Sequence, residues 1–104
     1  MSIIEGRSDN FQKEVLESSV PVLVDFNASW CPPCRALHPT LEAMAEDSDK
    51  YKIVTVDIDA EPALASNYDV SSIPCLIAFK DGKETDRRIG LQPRKRLEKM
   101  LGVK

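Results

Sequence analysis

Two cysteines three positions apart, Cys31 and Cys34, are the residues of this chain best equipped for chemistry. They stand in the stretch Trp30-Cys31-Pro32-Pro33-Cys34-Arg35. An apolar run, Val22-Leu23-Val24-Asp25-Phe26, precedes them, and a segment of helical periodicity starts at Cys34. A buried strand would thus hand the pair to the first turn of a helix. Helix N-termini carry unpaired N–H groups and a partial positive charge. A thiolate placed there is stabilised, so the thiol pKa falls and the sulfur becomes a nucleophile near neutral pH.

The prolines separate the roles of the two sulfurs. Pro32 and Pro33 have no backbone N–H, so the first donors available to the Cys31 sulfur are the amides of Cys34 and Arg35. Cys31 stands ahead of the helix, where an N-cap side chain reaches such donors. Cys34 lies inside the helix, and its sulfur is expected to be the more enclosed. Cys31 is therefore assigned as the attacking thiol and Cys34 as the resolving one, exchanging a disulfide with substrate through a mixed disulfide. A C-x-x-C pair alone is also compatible with half a zinc site or with two structural cysteines. The strand before it, the helix after it and the proline filling favour the redox reading.

The elements that must position the pair are legible from periodicity. Ile3 to Glu5 reads as a short strand, and Ser8-Asp9-Asn10 as a capping cluster before a helix carrying Phe11, Val15 and Leu16. Val22 to Asn27 reads as a strand covered on both faces. The helix from Cys34 carries Leu37, Leu41, Met44 and Ala45, with a kink expected at Pro39. Ile53 to Ile58 is a second buried strand, and Asp59-Ala60-Glu61-Pro62 starts a short helix over Ala63 to Tyr68. Cys75 to Lys80 and Lys83 to Ile89 flank Asp81-Gly82, a hairpin turn. A terminal helix covers Pro93 to Leu101. This order predicts an α/β fold with a central mixed sheet and helices on both faces.

Composition excludes several classes. The 104 residues suffice for a single domain, 1–104, with one core. The apolar fraction of 42% and charged fraction of 30% are those of a soluble globular protein. A formal net charge of −3 disfavours nucleic acid or an anionic membrane as partner. There is no apolar run of membrane-spanning length and no secretory h-region, and an odd cysteine count of three suits a reducing compartment. A cytoplasmic location is expected.

The chain resembles the thioredoxin family from about Ser8 to Leu101. The matching stretches are Pro21-Val22-Leu23-Val24-Asp25-Phe26, Ala28-Ser29-Trp30-Cys31-Pro32-Pro33-Cys34-Arg35, Pro39, Val70-Ser71-Ser72-Ile73-Pro74, Phe79-Lys80-Asp81-Gly82 and Ile89-Gly90. The resemblance implies a thioredoxin-like fold and a protein-disulfide reductase that carries electrons through the Cys31–Cys34 disulfide. It implies that Trp30 shields the disulfide and touches substrate, and that Asp25 is a buried carboxylate managing the proton of Cys34. Pro74 would follow a cis peptide bond, letting Ile73 pair with an extended substrate segment beside Gly90, a strand-addition mode. A monomer is expected, with protein disulfides as substrates and a thioredoxin reductase, an NADPH-dependent flavoprotein, as electron donor. No cofactor resides in the chain itself. Each role has a plainer rival: Asp25 as a structural carboxylate, Trp30 as core, Pro74 as trans, Gly90 as a turn glycine.

The chain also departs from the family. Pro32 replaces the usual Gly, which should alter the balance of dithiol and disulfide forms. Asn27 stands where an aromatic residue is common, leaving a polar group that needs a partner. Thr55 replaces a Lys near the buried carboxylate, so the proton affinity of Asp25 should rise. Cys75 follows Pro74, where Thr is usual, and is expected near the Cys31–Cys34 pair. It is read as a small buried strand residue, as a regulatory thiol, or as a ligand in a Cys31/Cys34/Cys75 metal variant that His38 would complete. A lone helical histidine is usually just solvated. A non-catalytic binding module on the same fold is the remaining alternative.

Overall fold

In the computed structural model, which describes residues 2–103, five strands form one sheet in the order β1-β3-β2-β4-β5. These are β1 (Ile4–Glu5), β2 (Val22–Asn27), β3 (Lys52–Asp57), β4 (Cys75–Lys80) and β5 (Lys83–Ile89). Met1 and Lys104, the ends of the expected 1–104 domain, lie outside the described residues. β1 and β2 both run parallel to β3, while β4 runs antiparallel to β2 and to β5. The sheet is therefore mixed, as expected. Asp81 and Gly82, at φ of 53° and 78°, make the tight turn between β4 and β5.

Alternation along the strands divides the core between two faces. Val22, Val24 and Phe26 of β2, with Val54 and Val56 of β3, meet Phe11 and Val15 on one face. Leu64 and Ala65 of helix α2 (Pro62–Asn67) cover the same face. Leu23 and Ile53 point the other way, against Leu37, Leu41 and Met44 of α1 (Pro32–Asp47). Leu97 and Met100 of α3 (Arg94–Met100) complete that layer. Asp25 and Thr55 fall on the α1 face by the same parity, and are partners in the parallel β2–β3 register.

The structure departs from the sequence reading at three points. The segment after Phe11 is a π-helical turn, Gln12–Leu16, closed by Glu17 N–H donating to the Gln12 carbonyl at 2.9 Å. Helix α1 begins at Pro32 rather than Cys34, because proline suits the first helical positions, where no amide partner is required. Cys75 does not join the Cys31–Cys34 pair. It packs beside Phe26 and Phe79 in the cluster on the sheet face away from α1. The parity that turns Leu76 toward α1 turns Cys75 away from it.

Candidate active site

Two tight connections hold the cysteines. Cys31 N–H donates to the Ala28 carbonyl at 3.2 Å, and the Arg35 guanidinium donates to the Ser29 carbonyl at 3.0 Å. Cys31 is the N-cap of α1, with extended φ and ψ of −94° and 110°. Cys31 and Cys34 are joined as a disulfide, their Cα atoms 5.2 Å apart. Cys34 N–H donates to Cys31 Sγ at 3.3 Å. Arg35 N–H, the second donor expected at that sulfur, instead donates to the Cys31 carbonyl at 3.1 Å. One amide, not two, serves the sulfur, because the second is used to propagate the helix.

Burial does not separate the two residues. Cys31 is 3% exposed and Cys34 is 5% exposed, against the expectation that Cys34 would be the more enclosed. Both pack with Ala28, Ile58 and Ile73. What distinguishes them is their neighbours: the Cys31 sulfur is capped by an amide, whereas Cys34 lines the cleft that contains Asp25.

That cleft has a volume of about 160 Å³ and is lined by Asp25, Asn27, Ala28, Ser29, Cys34, Arg35, His38 and Thr55. Asp25 is 2% exposed, the one charged residue in the core among the described residues. Asn27 Nδ2 donates to Asp25 Oδ2 at 3.3 Å and to the Asp25 carbonyl at 3.1 Å. Asp25 Oδ1 is buried without a hydrogen-bond partner. Burial pushes the carboxyl pKa up to about 7, against a smaller lowering by Asn27. Thr55 stands beside it without the positive charge that a lysine would bring. Asn27 thus finds in Asp25 the partner its polarity requires.

On the outer side, Trp30 is 62% exposed, which excludes a core role. Its Nε1–H donates to Asp59 Oδ2 at 2.8 Å. Sequence reasoning missed this restraint, since the partners lie 29 residues apart and Asp59 reads locally as part of a helix start. The Ile73–Pro74 peptide bond is cis. Gly90 N–H donates to the Pro74 carbonyl at 2.8 Å, which ties the loop after β5 to the start of β4. Gly90 has a φ of 93°, a conformation that disfavours any side chain. Ile89 and Leu91 are exposed on either side of it, an apolar margin that the sequence reading did not single out.

Cys75 is buried, and desolvation pushes its thiol pKa up, against an opposing effect of Arg87. Among the described residues no three His, Cys, Asp or Glu side chains are grouped to hold a metal ion. The Cys31/Cys34/Cys75 set fails because strand parity sends the third sulfur to the other face. Among the same residues no helix is long and apolar enough to cross a membrane.

The family model for thioredoxin matches residues 2–102. The chain belongs to the thioredoxin family. It is 46% identical over 103 residues to thioredoxin 1 of Synechococcus elongatus, covering 97% of this chain and 96% of that one. It is 48% identical over 93 residues to the thioredoxin of Chlamydia muridarum, covering 89% of each. A mutant thioredoxin from Halobacterium salinarum superposes with a TM-score of 0.87 at 32% identity, covering 96% of this chain and 88% of that one. The fold is thioredoxin-like. With the Cys31–Cys34 pair at disulfide distance, family membership makes the chain a thiol–disulfide oxidoreductase, a protein-disulfide reductase.

Proposed function

We propose that Cys31-Pro32-Pro33-Cys34 is the active-site motif through which this chain reduces disulfides of other proteins. The Cys31 thiolate attacks one substrate sulfur, forming a mixed disulfide while the other substrate sulfur leaves and takes up a proton. Asp25 accepts the proton of Cys34, directly or through water in the cleft. The Cys34 thiolate then attacks Cys31 Sγ. The Cys31–substrate bond breaks, the second substrate sulfur is protonated, and the Cys31–Cys34 disulfide remains. Two electrons pass to the substrate, whose two sulfurs take their protons from solvent, and the proton on Asp25 returns to Cys34 when the disulfide is reduced again.

The observation that carries this reading is the amide of Cys34 held against Cys31 Sγ at the start of α1. An N–H donor and a helix N-terminus both favour a negative sulfur at that position. The carboxyl of Asp25, with its pKa near 7, is matched to taking and returning a proton near neutral pH.

Substrate binding is assigned to Trp30, Ile73, Pro74 and Gly90. Trp30 offers an exposed apolar face, and an extended segment of the substrate pairs along Ile73, between Trp30 and Gly90. Protein disulfides are the substrates, and a thioredoxin reductase drawing on NADPH restores the dithiol. The chain itself uses no resident cofactor. It acts as one domain, 1–104, as a monomer in the cytoplasm. A turnover assay on a disulfide-bonded protein, with dithiothreitol as donor, tests the assignment. Loss of activity in Cys31→Ser and accumulation of a mixed disulfide in Cys34→Ser support it. Equal activity of wild type and Cys31→Ser overturns it.

A further inference from the structure

Gln92 has no part in the exchange itself, yet its side chain is tied to the backbone at the edge of the site. Its Nε2 donates to the Ile89 carbonyl at 3.1 Å and, less closely, to the Gly90 carbonyl at 3.4 Å. Both partners are acceptors, so the nitrogen end of the amide faces them, and its two N–H bonds match two carbonyls. Gly90 N–H donates to the Pro74 carbonyl at 2.8 Å. The one cis bond among the described residues is Ile73–Pro74, so the Ile89–Gly90 peptide is trans. Across a trans peptide the N–H and the C=O point in opposite directions. This peptide is therefore clamped at both ends, by Pro74 on the inner side and by Gln92 on the outer. β5 is an edge strand, and without Gln92 the outward Ile89 carbonyl would stand open to another chain. Pro93 adds a restraint, because the residue before a proline is confined to extended backbone, which fixes where the Gln92 side chain starts.

The clamped segment borders the disulfide. Trp30, Ile89 and Leu91 are the large apolar side chains exposed among the described residues. Trp30 adjoins Cys31, and Ile89 is registered with Cys75, which follows Pro74. Ile73, before Pro74, packs on Cys31 and Cys34. A Cβ on Gly90 would meet nothing within 4 Å, so the space over this residue is open.

We propose that Gln92 is a positioning residue for substrate binding: it holds Ile89-Gly90-Leu91 as a rigid apolar wall and covers the Ile89 carbonyl against backbone pairing. The proposal rests on the reading of Ile73, Pro74 and Gly90 as the substrate site, and extends that site to Ile89 and Leu91. With the edge carbonyl covered, an extended segment of the substrate pairs with the backbone of Ile73 and meets only side-chain surface at Ile89 and Leu91. Gln92 does not touch the reacting sulfurs, so a small disulfide that needs no wall reacts equally well without it.

The test is single turnover of the reduced protein, freed of every other reductant. Insulin in excess is the protein disulfide, and acid quenching, alkylation and mass spectrometry count the dithiol that remains. An aromatic disulfide, followed by the absorbance of its released thiolate, is the small one. In Gln92→Ala the insulin concentration that gives half the limiting rate rises about fivefold, the size of one net hydrogen bond, with the limiting rate unchanged. The rate with the aromatic disulfide is unchanged. The Gly90 amide exchanges its hydrogen about tenfold faster by NMR, while the amides of the β4–β5 ladder keep their protection. Gln92→Glu, of the same length but without the donor, behaves like Gln92→Ala. Unaltered half-saturation in either variant, or an equal loss with both disulfides, overturns the proposal. A raised half-saturation with unchanged exchange at Gly90 also overturns it, since the wall then has not loosened. Leu91→Ser separates the two layers of the account. If it raises the insulin half-saturation and the Gln92 variants do not, the clamp alone is refuted. If Leu91→Ser has no effect, the wall is refuted and the clamp with it.

Discussion

Asn27 Nδ2 donates to one carboxylate oxygen of Asp25 at 3.3 Å, while the other oxygen, Oδ1, is buried with no partner. Burial raises the pKa of this carboxyl to about 7, well above the ordinary aspartate range, against a smaller lowering by the Asn27 hydrogen bond. The native state therefore binds this proton more tightly than the unfolded chain does. Stability contributed by the neutral carboxyl is fully present below about pH 4 and is lost as pH rises through about 7. The group's contribution falls by about 4 kcal/mol across that window. Urea denaturation of the oxidised protein should show this decline, and Asp25→Asn should lack most of it. Parallel pH profiles for the two proteins would contradict the assignment.

The neighbours of Asp25 tune the same equilibrium. Asn27→Ala removes the hydrogen bond that lowers the carboxyl pKa, so Asp25 should titrate above its present value of about 7. Thr55→Lys places an ammonium on the strand position registered with Asp25 and should lower it. Carbon-detected NMR titration of the Asp25 carboxyl follows both, and shifts of opposite sign are expected.

Trp30 owes its placement to Asp59, through a 2.8 Å charge-assisted hydrogen bond on an exposed surface. Asp59→Ala should leave folding stability within about 1 kcal/mol of wild type, because the pair is solvated. It should lower kcat/KM for protein disulfides about threefold, as the indole loses its fixed orientation over the site. Steady-state kinetics and indole fluorescence anisotropy check the two halves of this expectation.

Much of the site was readable before any coordinates. The patterning of β2 and of the start of α1 brings Cys31 and Cys34 to a strand–turn–helix junction, while the place of Asp25 behind Cys34 is what the resemblance to the thioredoxin family implies. Asn27 was recognised as a polar residue in need of a partner, and Asp25 supplies it two positions away. Other features were hidden for physical reasons. The Trp30–Asp59 bond spans the sheet's end and leaves no local signature. The near-equal burial of the two cysteines depends on how Ile58 and Ile73 close over them, which periodicity does not encode. Cys75 is expected near the pair from its place after Pro74, yet alternation along β4 assigns it to the side of Ile77 and Phe79. His38 reads as a solvated helix residue, yet its spacing from Cys34 places it on the same helix face, and both line the cleft.

The central claim is that one sulfur of the pair is prepared for attack by the amide of Cys34 and the start of α1, and that its partner is not. The most direct test is the pH dependence of alkylation of the reduced protein by iodoacetamide, with each cysteine followed separately by mass spectrometry of its peptide. The account predicts that Cys31 reacts first and titrates well below the ordinary cysteine range of about 8.5, with Cys34 reacting slowly and at higher pH. Two cysteines that titrate together with ordinary acidity would contradict it.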